Sequence, residues 1–139
     1  MLTKLYEQII KQYALNPNGI HGVEHWKRVK DHGLHLAKET GAKAHIVELF
    51  ALLHDSHRLT EGTDNEHGKR AAEFAVKMNG IYFNISEEDL DILCVACKGH
   101  TTELTHHDVT VQTCWDADRL DLWRIEVTPD PKFLSTQAI

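Results

Sequence analysis

Residues 46–53 (IVELFALL) constrain the fold more than any other part of the chain, because they are apolar at almost every position. A helix of this composition is apolar on all sides and is typically buried in the centre of a helical bundle. The segment runs directly into His54 and Asp55. The sequence therefore predicts a central helix that brings two polar side chains to the edge of the core.

Five further segments have apolar residues three and four positions apart, which is the spacing of amphipathic helices. They cover about residues 2–13, 21–40, 66–78, 87–99 and 111–125. Thr63 and Ser86 are each followed three residues later by an acidic residue, a pattern that resembles the capping box at a helix start. We find no repeat, linker or convincing strand pair. The sequence thus predicts an all-α fold of about five to six helices in a single domain over residues 1–139.

Charge and composition exclude several classes of function. The formal net charge is −6, which disfavours binding to nucleic-acid polymers and to anionic membranes. No segment has the length and hydropathy of a membrane span. Three cysteines and the absence of a signal-peptide pattern at the N-terminus indicate a reducing compartment, and we expect a cytoplasmic protein.

The chain has eleven histidines, which raises the expectation of metal chemistry. His25, His67 and Asp118 each lie on the apolar stripe of their own predicted helix. A carboxylate in a core costs several kcal/mol unless it is paired or bound to a cation. Imidazole nitrogens and carboxylate oxygens together suit Mn, Fe, Co, Ni or Zn. The pattern therefore predicts a divalent metal site.

Three strings occur in a fixed order along the chain, namely HWKRV at residues 25–29, LHD at 53–55 and DADRL at 116–120. This order resembles the HD superfamily of metal-dependent phosphohydrolases, and the resemblance covers roughly residues 21–125. It implies an HD-type helical bundle. The metal ligands that it implies are His25, His54, Asp55 and Asp118.

The resemblance also implies an activity, the hydrolysis of a phosphate ester by a metal-activated water. The implied cofactor is one or two divalent ions of Mn, Co, Ni, Fe or Zn, with Mg as a further option. The implied substrate is a small phosphorylated compound, such as a nucleotide or a metabolite. His67 and His100 would hold a second metal or the phosphate, and both would act in catalysis with Asp55. The oligomeric state is not indicated.

Four further residues are candidates for substrate binding. His21 lies one turn before His25, and Asp116 lies beside the last implied ligand. Arg58 and Arg119 have the guanidinium group that suits bidentate contact with phosphate. Several nucleotide-cleaving HD proteins carry an acidic residue shortly after the doublet, where this chain continues Ser-His-Arg. The sequence therefore indicates no general acid or base.

Three alternative functions remain open. Residues 21–25 (HGVEH) match the string of inverted zinc metalloproteases, with His21 and His25 as ligands, Glu24 as base and Glu103 as a conceivable further ligand. Some HD-type proteins instead hold two irons and oxidise their substrate with oxygen, and His67 and His100 would suit that site. A non-catalytic metal-binding or nucleotide-binding regulator is the third alternative.

Other conspicuous residues are interpreted as structural. Cys94 and Cys97 match the buried stripe of their helix, and a core role is favoured over a metal or redox pair. The doublet at residues 107–108 follows a polar stretch and is expected in a loop. Trp115 and Trp123 are expected to pack in the core. Lys27, Arg28 and Lys30 are expected to form a solvated face.

Overall fold

A computed structural model describes residues 2–121 and contains six α-helices in that range. These are α1 (Thr3–Gln12), α2 (Val23–Thr40), α3 (Ala44–Leu53), α4 (His67–Met78), α5 (Glu87–Gly99) and α6 (Val109–Leu120). Within this part of the chain, β pairing is limited to one isolated bridge between Asn79 and Phe83. The predicted all-α class is confirmed.

Helix α3 is the central element of the bundle. It contacts all five other helices, and it is buried at Ile46, Val47, Leu49, Phe50, Ala51 and Leu53. Helices α2 and α6 pack against each other as well as against α3, while α4 packs mainly against α5. Burial of six side chains on one short helix stabilises it through the hydrophobic effect. The prediction of a central apolar helix is confirmed.

Two glycines allow helices to approach closely. A Cβ on Gly33 of α2 would lie 2.3 Å from Val47 Cγ1 on α3, and a Cβ on Gly68 of α4 would lie 2.4 Å from the Cys97 carbonyl oxygen on α5. Both distances are too short for real atoms, so only glycine fits. The second approach holds the first turn of α4 against the last turn of α5.

The observed starts of three helices can be compared with the predicted ones. Ser86 Oγ accepts a hydrogen bond from the Asp89 N–H at 3.1 Å, so the predicted cap of α5 is confirmed. The predicted Thr63 cap is wrong, because α4 begins at His67 and its N-cap residue, Glu66, makes no capping hydrogen bond with its side chain. Instead, Asp64 fixes the preceding loop by accepting hydrogen bonds from the Leu59 N–H and from Arg70. Helix α2 begins at Val23, two residues later than predicted.

Part of the predicted last helix lies outside the described residues, including Leu122, Trp123 and Ile125. Its described portion begins at Val109, where the Asp108 carboxylate accepts hydrogen bonds from the N–H groups of Thr110 and Val111. None of the helices within residues 2–121 combines the length and the apolarity that crossing a membrane requires.

Candidate metal centre

Six titratable side chains converge from five helices or their ends. His25 lies on α2, His54 and Asp55 directly follow α3, His67 begins α4, His100 follows α5, and Asp118 lies on α6. The first five residues are buried, and Asp118 is partly buried. The packing of the bundle thus brings together all six residues that the sequence proposed as metal or phosphate ligands.

Four of these residues form what we call the first group: His25, His54, Asp55 and Asp118. The Nε2 atoms of His25 and His54 lie 3.0 Å apart. Asp55 Oδ2 lies 3.2 Å from His25 Nε2 and 3.4 Å from His54 Nε2. Asp118 Oδ1 lies 3.3 Å and 3.4 Å from the same two nitrogens. One oxygen of each carboxylate therefore lies within 3.4 Å of the same two imidazole nitrogens.

The second group consists of Asp55, His67 and His100. Asp55 Oδ1 lies 3.3 Å from His67 Nε2 and 3.4 Å from His100 Nε2, and these two nitrogens are 2.9 Å apart. The two oxygens of Asp55 are therefore divided between the groups, with Oδ2 in the first and Oδ1 in the second. The Asp55 carboxylate bridges the two groups.

These separations fit the ligands of a metal ion. Two donor atoms each about 2.1 Å from one ion stand about 3.0 Å apart at a right angle and about 3.4 Å apart at the tetrahedral angle. In addition, Asp118 Oδ1 is buried without a hydrogen-bond partner among the described residues, which is costly unless a cation neutralises it. His25, His54 and Asp55 form one buried set that could hold a metal ion, and Asp55, His67 and His100 form a second.

All four imidazoles present Nε2 to the centre because Nδ1 is engaged elsewhere. His54 Nδ1 donates to the Phe50 carbonyl at 3.0 Å, His67 Nδ1 to the Asp64 carbonyl at 2.5 Å and His100 Nδ1 to the Cys97 carbonyl at 2.7 Å. His25 Nδ1 donates to Asp121 Oδ2 at 2.6 Å. With the proton held on Nδ1, the Nε2 lone pair of a neutral ring is available to a cation.

The electrostatics of the centre keep its carboxylates ionised. Burial alone would raise the pKa of Asp55 and of Asp118, but the neighbouring histidines lower both values well below the usual range. Burial would likewise lower the pKa of His25, yet the neighbouring carboxylates of Asp118, Asp121 and Asp55 raise the pKa to about 10. Without a metal, a proton on His25 therefore partly compensates the two carboxylates.

No protein-family model, curated protein or solved structure matches this chain.

Two of the predicted substrate-binding residues contact the centre. His21 Nδ1 lies 3.5 Å from Asp55 Oδ2, and its Nε2 lies 3.0 Å from the Glu61 carbonyl oxygen. Arg58 Nε lies 3.3 Å from Asp55 Oδ1, and its Nη1 donates to the carbonyls of Thr60 and Gly62. Both residues therefore connect Asp55 to the loop around Glu61.

The other two predicted substrate-binding residues, Asp116 and Arg119, have contacts within α6 and with residues 103–104. Asp116 is fully buried and accepts a hydrogen bond from Gln112 Nε2 at 3.0 Å. Arg119 lies 3.7 Å from Asp116 and donates to the carbonyl oxygens of Leu104 and Glu103. These contacts fix residues 103–104 against α6.

Sequence reasoning missed Asp121, and with it the role of Arg28. Arg28 Nε donates to Asp121 Oδ1 at 2.6 Å, so Arg28 joins α2 to α6 while its side chain stays 43% exposed, and Lys27 and Lys30 are exposed as predicted. One signal was present in the sequence, because Asp121 follows Asp118 by one helical turn and so shares its side of α6.

Glu61 was also missed, since it lies in a loop without periodicity. Its Oε1 is buried without a hydrogen-bond partner among the described residues, 4.0 Å from His21 Nε2. A Cβ on Gly19 would lie 2.4 Å from Glu61 Oε2. The glycine therefore leaves room for this carboxylate.

The remaining conspicuous residues have structural contacts. Cys97 is fully buried and Cys94 is half-buried, and burial raises the pKa of both thiols. Trp115 is buried and donates from Nε1 to the Ala96 carbonyl at 2.9 Å, so its packing role is confirmed. His107 precedes α6 in a loop, as predicted. Glu24 is exposed and lies 3.6 Å from Lys27.

Proposed function

We propose that the chain is a metal-dependent phosphohydrolase that cleaves a small phosphorylated compound. The observation that carries the proposal is the division of the Asp55 oxygens between two groups of histidines. Paired metal sites that share a ligand are typical of enzymes that displace groups at phosphorus. The resemblance of the HWKRV, LHD and DADRL strings to HD phosphohydrolases supports the same conclusion.

The ligands of the two groups indicate which ions they would hold. The first group offers two imidazole nitrogens and two carboxylate oxygens, and the second offers two imidazoles and one carboxylate oxygen. Mixed nitrogen and oxygen donors suit Mn, Fe, Co, Ni or Zn, whereas Mg prefers oxygen alone. When bound, such ions supply an activated water and neutralise charge on the phosphoryl oxygens.

The neighbouring residues account for orientation and for proton transfer. Arg58 and His21 each contact Asp55, and together they hold the carbonyl groups of residues 60–62. This double attachment fixes the backbone of the loop, and the Glu61 side chain lies with Oε1 4.0 Å from His21 Nε2, without a hydrogen-bond partner in the described chain. Because His21 itself lies 3.5 Å from Asp55, Glu61 is the candidate that we propose for general acid–base catalysis.

The charge of the protein favours a small substrate. With a formal net charge of −6, the chain lacks the surplus of Lys and Arg that draws in a polyanion. The positive charge that attracts a phosphate group would be local, and it would come from the bound metal ions and from Arg58. A nucleotide or a phosphorylated metabolite is therefore the proposed substrate class.

One competing function is favoured by the same observation. A carboxylate shared between two histidine-containing groups also suits two irons, and an oxygen-dependent oxidation of the substrate would use the same ligands. The protease alternative has less support, because the exposed Glu24 contacts Lys27. A general base must instead lie within reach of the reacting water.

The test combines metal analysis with an activity screen. Purified protein is stripped with a chelator, reloaded with Mn²⁺, Co²⁺, Zn²⁺ or Fe²⁺, and assayed for phosphate release or diester cleavage on mono-, di-, tri- and cyclic nucleotides and on sugar phosphates. We expect hydrolysis that needs the metal and is abolished by Asp55→Asn but retained by Asp89→Asn, whose site on α5 pairs with Lys43. Oxygen uptake by the iron-loaded protein without phosphate release would favour the oxygenase. Metal binding without turnover of any compound would favour a regulator.

A further inference from the structure

His25 differs from the other imidazoles of the centre in the hydrogen-bond acceptor of its Nδ1 atom. His54, His67 and His100 each donate from Nδ1 to a backbone carbonyl three or four residues earlier in their own segment. His25 instead donates to the Asp121 carboxylate, at 2.6 Å, across the interface between α2 and α6. One ligand of the first group is therefore supported by a full negative charge.

Asp121 is itself held in place. It is fully buried, and its second oxygen accepts a hydrogen bond from Arg28 Nε at 2.6 Å. It caps α6, one turn after Asp118. The last turn of α6 thus provides a ligand atom of the first group through Asp118 and the support behind another ligand through Asp121.

This arrangement has a defined chemical consequence. A carboxylate that accepts a hydrogen bond from Nδ1 fixes the orientation and the tautomer of the ring. It also makes Nε2 a stronger metal ligand than a peptide carbonyl in the same position would. In His25, Nε2 is the atom that lies 3.2 Å from Asp55 Oδ2 and 3.3 Å from Asp118 Oδ1. Asp121 therefore acts on the first group without touching the position that a metal would occupy.

A simpler role for Asp121 would be that of a counter-ion to Arg28, which would join α2 to α6 and affect stability alone. The two roles differ in what they do to metal affinity. We propose that Asp121 is a positioning residue, which directs His25 Nε2 to the first group and strengthens it as a metal ligand, with Arg28 holding Asp121 in place. The proposal rests on the proposed metal centre but not on the hydrolysis of any phosphate ester.

The experiment measures Zn²⁺ and Co²⁺ affinity by competition with a chromophoric chelator, with no substrate present. We expect Asp121→Asn and Asp121→Ala to weaken binding by about 10- to 100-fold, the usual effect of removing such a partner. Arg28→Gln should weaken binding less, because the carboxylate remains. The control Asp89→Asn, which breaks an ion pair on α5, should bind as the wild type does.

A second readout reports on the ring itself. Nitrogen-15 NMR of the Zn²⁺-loaded protein should show His25 with a strongly hydrogen-bonded Nδ1 proton in the wild type, and this proton resonance should move upfield in Asp121→Asn. An unchanged resonance in Asp121→Asn would show that Asp121 does not hold His25 Nδ1 in the metal-loaded protein, and it would overturn the proposal.

The possible results separate this role from the rest of the site. Wild-type affinity in Asp121→Asn, together with a lower unfolding free energy, would overturn the proposal and leave a structural ion pair. If the Asp121 variants fail to fold, unchanged affinity in Arg28→Gln would overturn it in the same way. Wild-type protein that takes up no metal would overturn the whole centre, whereas weakened metal binding supports the role of Asp121 even if no phosphate ester is hydrolysed.

Discussion

Asp55 Oδ1 lies 3.3 Å from Nε2 of His67, while the other oxygen of the same carboxylate faces His25. A single side chain therefore belongs to both groups. His67 and His100, by contrast, belong to the second group alone. This asymmetry allows the two groups to be tested separately.

Replacing His67 with Ala should remove one metal ion and leave the other. The second group would retain only Asp55 and His100, too few ligands for tight binding, while the first group keeps its full set. Elemental analysis should show a ratio of about two ions per chain in the wild type and about one in the variant. His57→Ala is the matched control, because His57 contacts Phe74 and Gln12 instead. Equal metal content in wild type and His67→Ala would contradict the second site.

Asp118→Asn should abolish the thermal stabilisation that metal gives. A ligand that binds only the folded state adds about 2.7 kcal/mol when its concentration is 100 times its Kd. The substitution keeps the size of a side chain whose Oδ1 lies buried without a hydrogen-bond partner in the described chain, but it removes the charge that a cation needs. Thermal unfolding with and without Mn²⁺ measures the effect. A variant stabilised as much as the wild type would show that Asp118 is not a ligand.

Metal affinity should rise with pH between about pH 7 and 9, by up to about tenfold per unit, since binding must displace a proton. The reason is that three neighbouring carboxylates outweigh the effect of burial and raise the pKa of His25 to about 10, so the metal-free ring is protonated at neutral pH. Raising the pH removes the competing proton and strengthens binding. Calorimetry in buffers of different ionisation enthalpy should detect close to one released proton per ion at the first group. Binding that is independent of pH would mean that His25 does not exchange a proton for the metal.

Glu61→Gln should lower kcat by about 10²- to 10⁴-fold, the usual contribution of general acid–base catalysis. If Glu61 protonates the departing oxygen, the loss should be large for an alkyl phosphate and small for 4-nitrophenyl phosphate, whose leaving group needs no proton. Metal content should be unchanged, because Glu61 lies outside both groups. Equal losses on the two substrates would exclude protonation of the departing oxygen, and an unchanged kcat on both would contradict the assignment.

Gly33→Ala should destabilise the fold by about 1–3 kcal/mol, as overpacking of a core usually does. Its new methyl group would lie 2.3 Å from Val47 Cγ1, and the stiff Val side chain cannot rotate away freely. The double variant with Val47→Ala should recover part of the loss, which urea unfolding of the four proteins of a mutant cycle would measure. Additive losses would show that the two residues are not in close contact.

Much of the secondary structure was determined by the sequence alone. Apolar residues at helical spacing indicate both the helix and its buried face, and that information is local to each segment. The apolar run at residues 46–53 therefore predicted the central helix and the placement of His54 and Asp55 at its end. Helix starts were less predictable. The spacing of Thr63 and Glu66 predicted a cap, but the loop before α4 is instead fixed by the Asp64 carboxylate, which accepts hydrogen bonds from Leu59 and Arg70.

Only the tertiary structure decided which polar groups face one another. Spacing assigns His25 or Asp118 to the buried side of its own helix, but it does not say which neighbour that side meets. That depends on how closely helices approach, as at Gly68, where the absence of a Cβ lets the start of α4 lie against the Cys97 carbonyl on α5. The contacts of Asp121 with His25 and Arg28 arise in the same way. They join residues far apart in the chain, and no local pattern in the sequence encodes such a pairing.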